Sequence, residues 1–315
     1  MSEKVSNGIR KLYKCVSNSL GEMLIPQDIK RILGGQMKQL NTSRDNYIRG
    51  QIEVASEDTN AMEDIRDLYD RTCNRMLWQE MKKQKNIESV INKTKELLES
   101  EANISEQDVD EDWMSRFFSS IQDISNEKMQ LLWSKILAGE IKKPRTFSMR
   151  LLDCMTKISK DEAQLFEKYS LHMLNIGSKI AIIRNDEFEK KHDISYDDIL
   201  ILKECNLIES SPFLSINFLP DVQDEAFCII RYNGQCITIE MAKGKEFSLP
   251  VYQLTRLGTE LFQVVKVKYD TNYLSDVAQY IAKNNKDKTV LLYKTYVLVG
   301  NNIFPVGEPD KIVSE

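Results

Sequence analysis

Two histidines limit the chemistry that this chain can perform. They are His172 and His192, and neither has a cysteine or an aspartate at ligand spacing on the same predicted element. Catalytic triads and multi-histidine metal sites need such groups to converge. We therefore predict a structural role for both histidines, and we predict no metal ion and no cofactor.

Three aspartates imitate the first ligands of a calcium-binding loop. Asp108, Asp110 and Asp112 alternate as those ligands do, but the loop also needs glycine at its sixth position and glutamate at its twelfth. This chain has Trp113 and Ser119 at those positions. Because carboxylates in a first helical turn interact favourably with the helix dipole, we assign the aspartates to a helix start.

Glu140 is another carboxylate with a distinctive position. It follows Gly139, which is expected to end a helix, and it precedes a basic turn containing Lys142, Lys143 and Arg145. We interpret this corner as exposed, with Glu140 forming a salt bridge to a basic neighbour rather than acting in catalysis. These four charged residues are the candidate partner-binding residues.

Phosphate recognition has a narrow basis in this sequence. The segment RILGGQMK lacks the GxxxxGK[ST] frame of a phosphate-binding loop. The formal net charge is -5, from 43 basic and 48 acidic residues, so binding to nucleic acid requires a local basic surface. Arg231, Lys243 and Lys245 are the candidate nucleic-acid-binding residues.

The elements that position these residues are mostly helical in the first half of the chain. Residues 61–100 contain neither proline nor glycine and predict one or two long helices, with QEMKKQKN as a turn or a solvated face. Further helices are expected at about 27–40 and 45–56. The amphipathic segment GIRKLYKCVSNSL is expected to pack on its own domain, with peripheral membrane contact as the less favoured interpretation.

Capping residues indicate where helices begin. The expected caps are Ser105 with Asp108, Ser125, Ser148, Ser159 with Glu162, Ser195 and Thr255. Trp133 lies on a strongly apolar helix and is expected in the core.

The strongest strand signal is the segment AFCIIRYNGQCITIEM. Its Asn233-Gly234 pair favours a two-residue hairpin turn, because both positions need positive φ. Pairing Tyr232 with Gln235 defines one apolar face, which we predict to be buried. That face consists of Cys228, Ile230, Tyr232, Ile237, Ile239 and Met241.

The predicted fold is mainly α with a small α+β part. It comprises N-terminal helices (1–60), a helical bundle (61–170), a winged-helix-like domain (171–267) and a short αβ tail (268–315) with a loose end. The predicted recognition helix carries Asp197, Asp198 and Glu204 but only Lys203 as a basic residue, which is the wrong sign for a phosphate-lined groove. Protein contact is therefore the favoured use of the winged-helix-like domain.

Six cysteines are scattered singly, with no CxxC pair, which is typical of reduced thiols in the cytosol. The first residues lack the apolar run of a secretory signal, and no stretch is long and apolar enough for a membrane-spanning helix. A cytoplasmic protein is expected.

One segment, MQLLWSKILAGEIKKPRTFSMRLLDCMTKISKDEAQLF, resembles a pattern found in poorly characterised bacterial proteins related to the abortive-infection alpha (Abi-alpha) family. The matching positions are Leu132-Trp133, Ile136 to Glu140, Pro144, Ser148, Leu151-Leu152, Ile158-Ser159 and Asp161 to Phe166. Arg145-Thr146 departs from the Gly-Ser-like pair that is common there. The resemblance covers roughly residues 65–267 and implies a bacterial cytoplasmic protein tied to phage defence or mobile elements, without a catalytic motif to carry over.

Three hypotheses follow for the function. The first is a non-enzymatic interaction or regulatory component of antiphage defence that acts through self-association or a protein partner. The second is a winged-helix regulator that binds DNA through Arg231, Lys243 and Lys245. The third is a metal-dependent nuclease or toxin built from carboxylates such as Glu140.

Overall fold

The computed structural model describes residues 6–20, 59–211, 213–218, 226–242, 245–300 and 302–312. The chain divides into two compact units, Met1–Leu152 (unit 1) and Asp153–Glu315 (unit 2). The helices expected at about 27–40 and 45–56 lie outside the described residues. The finer division at residues 60, 170 and 267 stays a prediction.

Unit 1 is helical wherever it is described with regular structure. Its helices are α1 (Asn7–Leu20), α2 (Thr59–Leu98), α3 (Glu111–Ile121), α4 (Glu127–Lys142) and the first part of α5 (Met149–Met155). The stretch without proline or glycine forms one helix of 40 residues, about 60 Å long at 1.5 Å per residue. The polar QEMKKQKN segment therefore lies within this helix and not in a turn, and it is solvated as far as residue 85, whereas Asn86 is buried.

Aromatic side chains form the core of unit 1. Trp133 and Phe117 are fully buried, and their rings meet edge to face with centroids 5.5 Å apart. Trp113 stacks on Phe117 and donates its indole N–H to the carbonyl of Phe147 at 2.9 Å. The core position expected for Trp133 is confirmed.

The amphipathic helix α1 packs onto this core. Its side chains Ile9, Leu12 and Val16 are buried, and the Lys11 ammonium donates to the carbonyls of Ser105 and Ile141 at 3.0 and 2.9 Å. The expected packing on its own domain is confirmed. Across the described ranges, no helix combines the length and hydropathy needed to span a bilayer.

Unit 2 combines short helices with an antiparallel sheet. Its helices are the rest of α5, α6 (Lys160–Ser170), α7 (Asp186–Lys191), α8 (Tyr196–Glu204), α9 (Arg256–Phe262) and α10 (Tyr273–Asn284). Its strands are β1 (Leu174–Ile176), β2 (Lys179–Ile183), β3 (Ser215–Phe218), β4 (Ala226–Tyr232), β5 (Gln235–Met241), β6 (Phe247–Gln253), β7 (Thr289–Tyr293), β8 (Thr295–Val299), β9 (Asn302–Val306) and β10 (Asp310–Ile312).

The described strands form a sheet in the order β10-β7-β5-β4-β1-β2-β6-β3 and a separate β8-β9 hairpin. Tyr232 pairs with Gln235 across the Asn233-Gly234 turn, as predicted, and both turn residues have positive φ. The six residues of the predicted apolar face are all buried. They pack with the buried side chains of α10, which include Tyr273, Leu274 and Val277.

The sheet continues into the segment that was expected to be loose. Strand β10 pairs with β7, so that Lys311 lies opposite Leu291, and the expectation of a loose end is wrong for residues 310–312. A helical N-terminal part and an α+β part with an antiparallel sheet are confirmed. The expectation that the α+β part is small is wrong, because unit 2 spans residues 153–315. The sheet order, in which β6 lies between β2 and β3, was not indicated by the sequence.

Candidate functional site

Glu140 lies inside unit 1 and not at an exposed corner. Helix α4 continues past Gly139 to Lys142, so the prediction that Gly139 ends the helix is wrong. Glu140 is only 2% exposed. A side chain at position 139 would bring its Cβ within 2.6 Å of the Phe147 ring, which explains why glycine occupies this position.

The Glu140 carboxylate binds the backbone of the turn that follows α4. It accepts hydrogen bonds from the backbone N–H groups of Arg145 at 2.6 Å, Thr146 at 3.0 Å and Phe147 at 2.9 Å. Three backbone donors converge on one ionised group, an arrangement that makes strong charge-assisted bonds. Glu140 therefore fixes the α4–α5 turn through these backbone contacts.

The basic residues of this turn differ in their surroundings. Lys142 is paired with Glu101 at 2.7 Å, whereas Lys143 and Arg145 are exposed. Arg145 has a φ of 69°, in the left-handed region that favours glycine. Lys143 and Arg145 are thus the accessible members of the candidate partner-binding group.

The three candidate nucleic-acid-binding residues do not form one described cluster. Arg231 is half-buried beside the hairpin turn, and its guanidinium donates to the Gly177 carbonyl at 3.5 Å. Lys245 is exposed and follows the opposite end of β5, a strand of 7 residues that spans about 20 Å. Lys243 lies outside the described residues.

Helix α8, the predicted recognition helix, presents a mixed apolar and acidic surface. We define the α8 face as its five exposed side chains. They are Tyr196, Asp197, Leu200, Ile201 and Glu204. Tyr196 is 52% exposed, and Leu200 and Ile201 are 38% and 37% exposed. This surface offers apolar contact area and two carboxylates.

The other charged residues of α8 are engaged within unit 2. Asp198 accepts a hydrogen bond from the Tyr169 hydroxyl at 2.7 Å, and Lys203 lies over the Tyr252 ring at 5.3 Å. Ser195 caps the helix through the backbone N–H of Asp198, as predicted. Contacts near both ends of α8 therefore fix the helix that carries the α8 face.

The two histidines meet in the interior of unit 2, which the sequence did not indicate. Their ring centroids lie 5.9 Å apart, and the Tyr273 ring is 5.1 Å from His172 and 5.0 Å from His192. Burial lowers the pKa of His172 from 6.5 to about 4 and also lowers the pKa of His192. Burial among aromatic rings fits the predicted structural role, although the contacts come from elements that are distant in the sequence.

The aspartates that resemble a calcium loop are divided between two structural roles. Asp110 caps α3 by accepting from the backbone N–H of Trp113 at 2.9 Å, and Asp108 pairs with Lys14 at 2.9 Å. The predicted capping box of Ser105 and Asp108 is therefore wrong, because α3 begins later and has Asp110 as its N-cap. In the part of the chain that the structure describes, no three His, Cys, Asp or Glu side chains form a group that could hold a metal ion.

A second apolar surface lies on the β8–β9 hairpin. Val297 and Phe304 face each other across the two strands and are each 48% exposed, and Val299 is 62% exposed. The sequence predicted a short αβ tail here but gave no signal for this exposure. Unit 2 thus carries exposed apolar side chains on both a helix and a hairpin.

Comparison with known proteins identifies a family over most of the chain. Residues 70–278 match a family described as "Protein of unknown function (DUF2806)". Neither the curated proteins nor the solved structures gave a match. The matched segment contains most of α2, the Glu140 turn, the α8 face and the sheet as far as β6. The chain belongs to the DUF2806 family.

Proposed function

We propose that the protein is a non-enzymatic interaction component of bacterial antiphage defence, with the α8 face as a contact surface for a protein partner. The composition of that face carries the proposal. Three exposed apolar side chains provide area to be buried, and two carboxylates favour a partner with a basic rim. The link to defence comes from the resemblance of the α4–α6 segment to Abi-alpha-related proteins.

Unit 2 supports a winged-helix assignment through its strand order. Helix α6, strand β2, helices α7 and α8, and strands β3 and β6 follow one another along the chain, and β6 pairs with both β2 and β3. A winged-helix domain has this arrangement, with the strand after the wing lying centrally. We assign the β4–β5 hairpin as an insertion within the wing, between β3 and β6.

Within such a module, α8 is the helix that would enter a DNA groove. Its exposed carboxylates, Asp197 and Glu204, would face phosphates, and repulsion would weaken that complex. Apolar contact by Tyr196, Leu200 and Ile201 instead suits a protein surface. The same geometry thus favours a protein partner over nucleic acid.

Glu140 offers no accessible carboxylate for a nuclease. Its two oxygens accept from three backbone N–H groups in a buried turn. The nuclease or toxin hypothesis therefore loses Glu140, the carboxylate that was named for it.

The proposal is tested by affinity purification of the chain from bacteria during phage infection. Leu200→Glu and Tyr196→Glu place charge on the α8 face, and Lys190→Glu, at an exposed position of α7, is the matched control. We expect a partner protein to be retained by the wild type and the control and lost by both α8 variants. Equal retention by all four chains would overturn the proposal.

Two further measurements address its other parts. Phage plating on cells with and without the protein should differ, and the α8 variants should lose the difference. A mobility-shift assay on duplex DNA across salt concentrations should give no salt-dependent shift, because such a shift would support the DNA-binding hypothesis instead.

A further inference from the structure

Helix α2 has two parts with contrasting surroundings. From Asn86 to Leu98 it carries buried side chains, including Ile87, Val90 and Ile91. No described side chain of residues 63–85 is buried. This exposed part is about 35 Å long at 1.5 Å per residue, so it presents a large solvent-accessible surface.

Large apolar side chains lie on this exposed part. Leu68 and Met81 are each 59% exposed, and Trp78 is 64% exposed. At 100° per residue, the three fall within an arc of about 140° on one side of the helix. Tryptophan and methionine are enriched where proteins meet, and an exposed tryptophan is costly without a partner.

Charged residues at the two ends of this side have opposite signs, and Arg71 and Arg75 lie between them within the same arc. Asp64 and Asp67 lie at one end, and Lys82 and Lys85 at the other, all within the arc defined by the apolar side chains. Residues 63–67 contain three acidic and one basic residue, a net charge of -2, and residues 81–85 contain three lysines and no acid, a net charge of +3. Two copies of this exposed part in antiparallel orientation therefore place opposite charges next to each other.

We propose that this side of residues 63–85 is a self-association surface, on which a second copy of the chain docks antiparallel to form a two-helix dimer. We place the two-fold axis midway between residues 74 and 75. Positions at equal distance from this axis on either side then face each other, so Asp67 lies opposite Lys82. The axis also sets Leu68 opposite Met81 and Asp64 opposite Lys85. A parallel pair would instead bring like charges together.

The same axis gives the tryptophan a partner. Trp78 lies opposite Arg71 of the second copy, so the guanidinium can stack on the indole ring. Within one chain, Arg71 pairs with Asp67 at 2.8 Å and Lys82 lies 5.5 Å from the Trp78 ring, both on an exposed surface. Such exposed pairs contribute little, so dimerisation can rearrange them at low cost.

This inference deepens the proposed function, because it rests on the chain acting through protein contacts and names a second copy as one partner. It concerns a helix of unit 1, whereas the α8 face belongs to unit 2. Substitution of one surface therefore provides a control for the other.

Sedimentation equilibrium of the full chain tests the proposal through charge reversal. The wild type should reach twice the 36.5-kDa mass of one chain. Asp67→Lys and Lys82→Asp each set like charges opposite one another, and each should weaken dimerisation by at least about tenfold. Because both sites are exposed, circular dichroism should show unchanged folding.

Mixing the two single variants is the decisive arm. In a mixed dimer, Lys at position 67 meets Asp at position 82 of the other chain, and the original Asp67 meets the original Lys82, so heterodimers should form with near wild-type affinity. The double variant should likewise recover as a homodimer. Leu200→Glu should dimerise as the wild type does.

Three results would overturn the proposal. They are a monomeric wild type, a dimer unaffected by either charge reversal, and single variants that fail to recover on mixing. A monomeric wild type is also the result expected if another part of the chain covers this surface. If dimerisation fails while the α8 variants still lose a protein partner, only the self-association inference falls.

Discussion

At the level of single residues, Glu140 shows how a buried charge can serve the backbone. Helix α4 carries it into the core, where the next turn supplies three N–H donors within 3.0 Å. An ionised carboxylate is costly to bury unless such donors compensate for lost hydration. The charge of Glu140 is thus explained by the shape of the α4–α5 turn.

We expect Glu140→Gln to destabilise unit 1 by about 3 kcal/mol. The glutamine side chain has no negative charge, and its NH₂ group would face backbone N–H donors from which it cannot accept hydrogen bonds. Chemical denaturation followed by tryptophan fluorescence measures this change. Glu127→Gln, at an exposed position on the same helix, should change the free energy of unfolding by less than about 1 kcal/mol. Equal effects of the two substitutions would contradict the assigned role.

The local sequence favours a surface position for Glu140 because a glycine precedes it. Gly139 is instead required by the Phe147 ring, which approaches through tertiary packing and leaves no signal in the local sequence. The buried position of Trp133 was predicted correctly, because a large aromatic side chain on an apolar helix is stabilised by burial in the core. Local pattern therefore identified the core residue and missed the reason for the glycine.

At the level of elements, the predictions succeeded where one residue chemically determines a boundary. Ser148, Ser159, Ser195 and Thr255 accept from the backbone N–H groups expected of caps. The cap of α4 is Asn126 and not Ser125, because neighbouring residues of similar capping ability cannot be separated by type alone. The β4–β5 register was predictable because the Asn-Gly turn and the apolar alternation agree.

The α4–α5 turn supports an element-scale prediction. Arg145 has a φ of 69°, a conformation that costs a residue with a side chain about 1 kcal/mol relative to glycine. Arg145→Gly should therefore raise the free energy of unfolding of unit 1 by up to about 1 kcal/mol while retaining the N–H group that binds Glu140. Thermal unfolding followed by circular dichroism measures the gain.

Lys143→Gly provides the matched comparison for that turn. Lys143 is also exposed but has a φ of -142°, so glycine there only increases the freedom of the unfolded chain and should destabilise. A loss of stability in both variants would show that the Arg145 side chain contributes more than its backbone conformation costs.

At the level of the whole molecule, the two units differ in their histidine and tryptophan content. Both histidines lie in unit 2 and all three tryptophans in unit 1. His172 faces Tyr169, His192 and Tyr273, with Lys168, Asp193 and Asp270 as nearby charges, and His192 faces Asp276 and Lys191. Acid between pH 6.5 and 4 therefore acts on unit 2 through its histidines.

The sign follows from the lowered pKa of His172, which is about 4 in the folded chain and 6.5 when unfolded. In this interval the unfolded state binds the proton more readily, so stability is complete above pH 6.5 and falls as the pH approaches 4. The full loss corresponds to roughly 3 kcal/mol for His172. We expect amide protons of β4 and β5 to lose hydrogen-exchange protection while tryptophan fluorescence of unit 1 changes less.

His172→Gln should flatten this pH dependence, because glutamine has no proton to gain in the interval. An undiminished dependence in that variant would assign the effect to other groups.

The proximity of the two histidines could not be read from the sequence, since α6, α7 and α10 bring them together through the sheet. Sheet order, in general, depends on pairings between distant segments, which local patterns do not encode.

The position of β6 between β2 and β3 has a consequence for how unit 2 folds. Ala181 pairs with Gln253, so the central pairing must wait until a long stretch of chain closes on itself. The Asn233-Gly234 hairpin lies inside that stretch and depends only on neighbouring residues, so it can form within microseconds and shorten the loop that remains. The β4–β5 hairpin would thereby serve as the nucleus around which the larger sheet assembles.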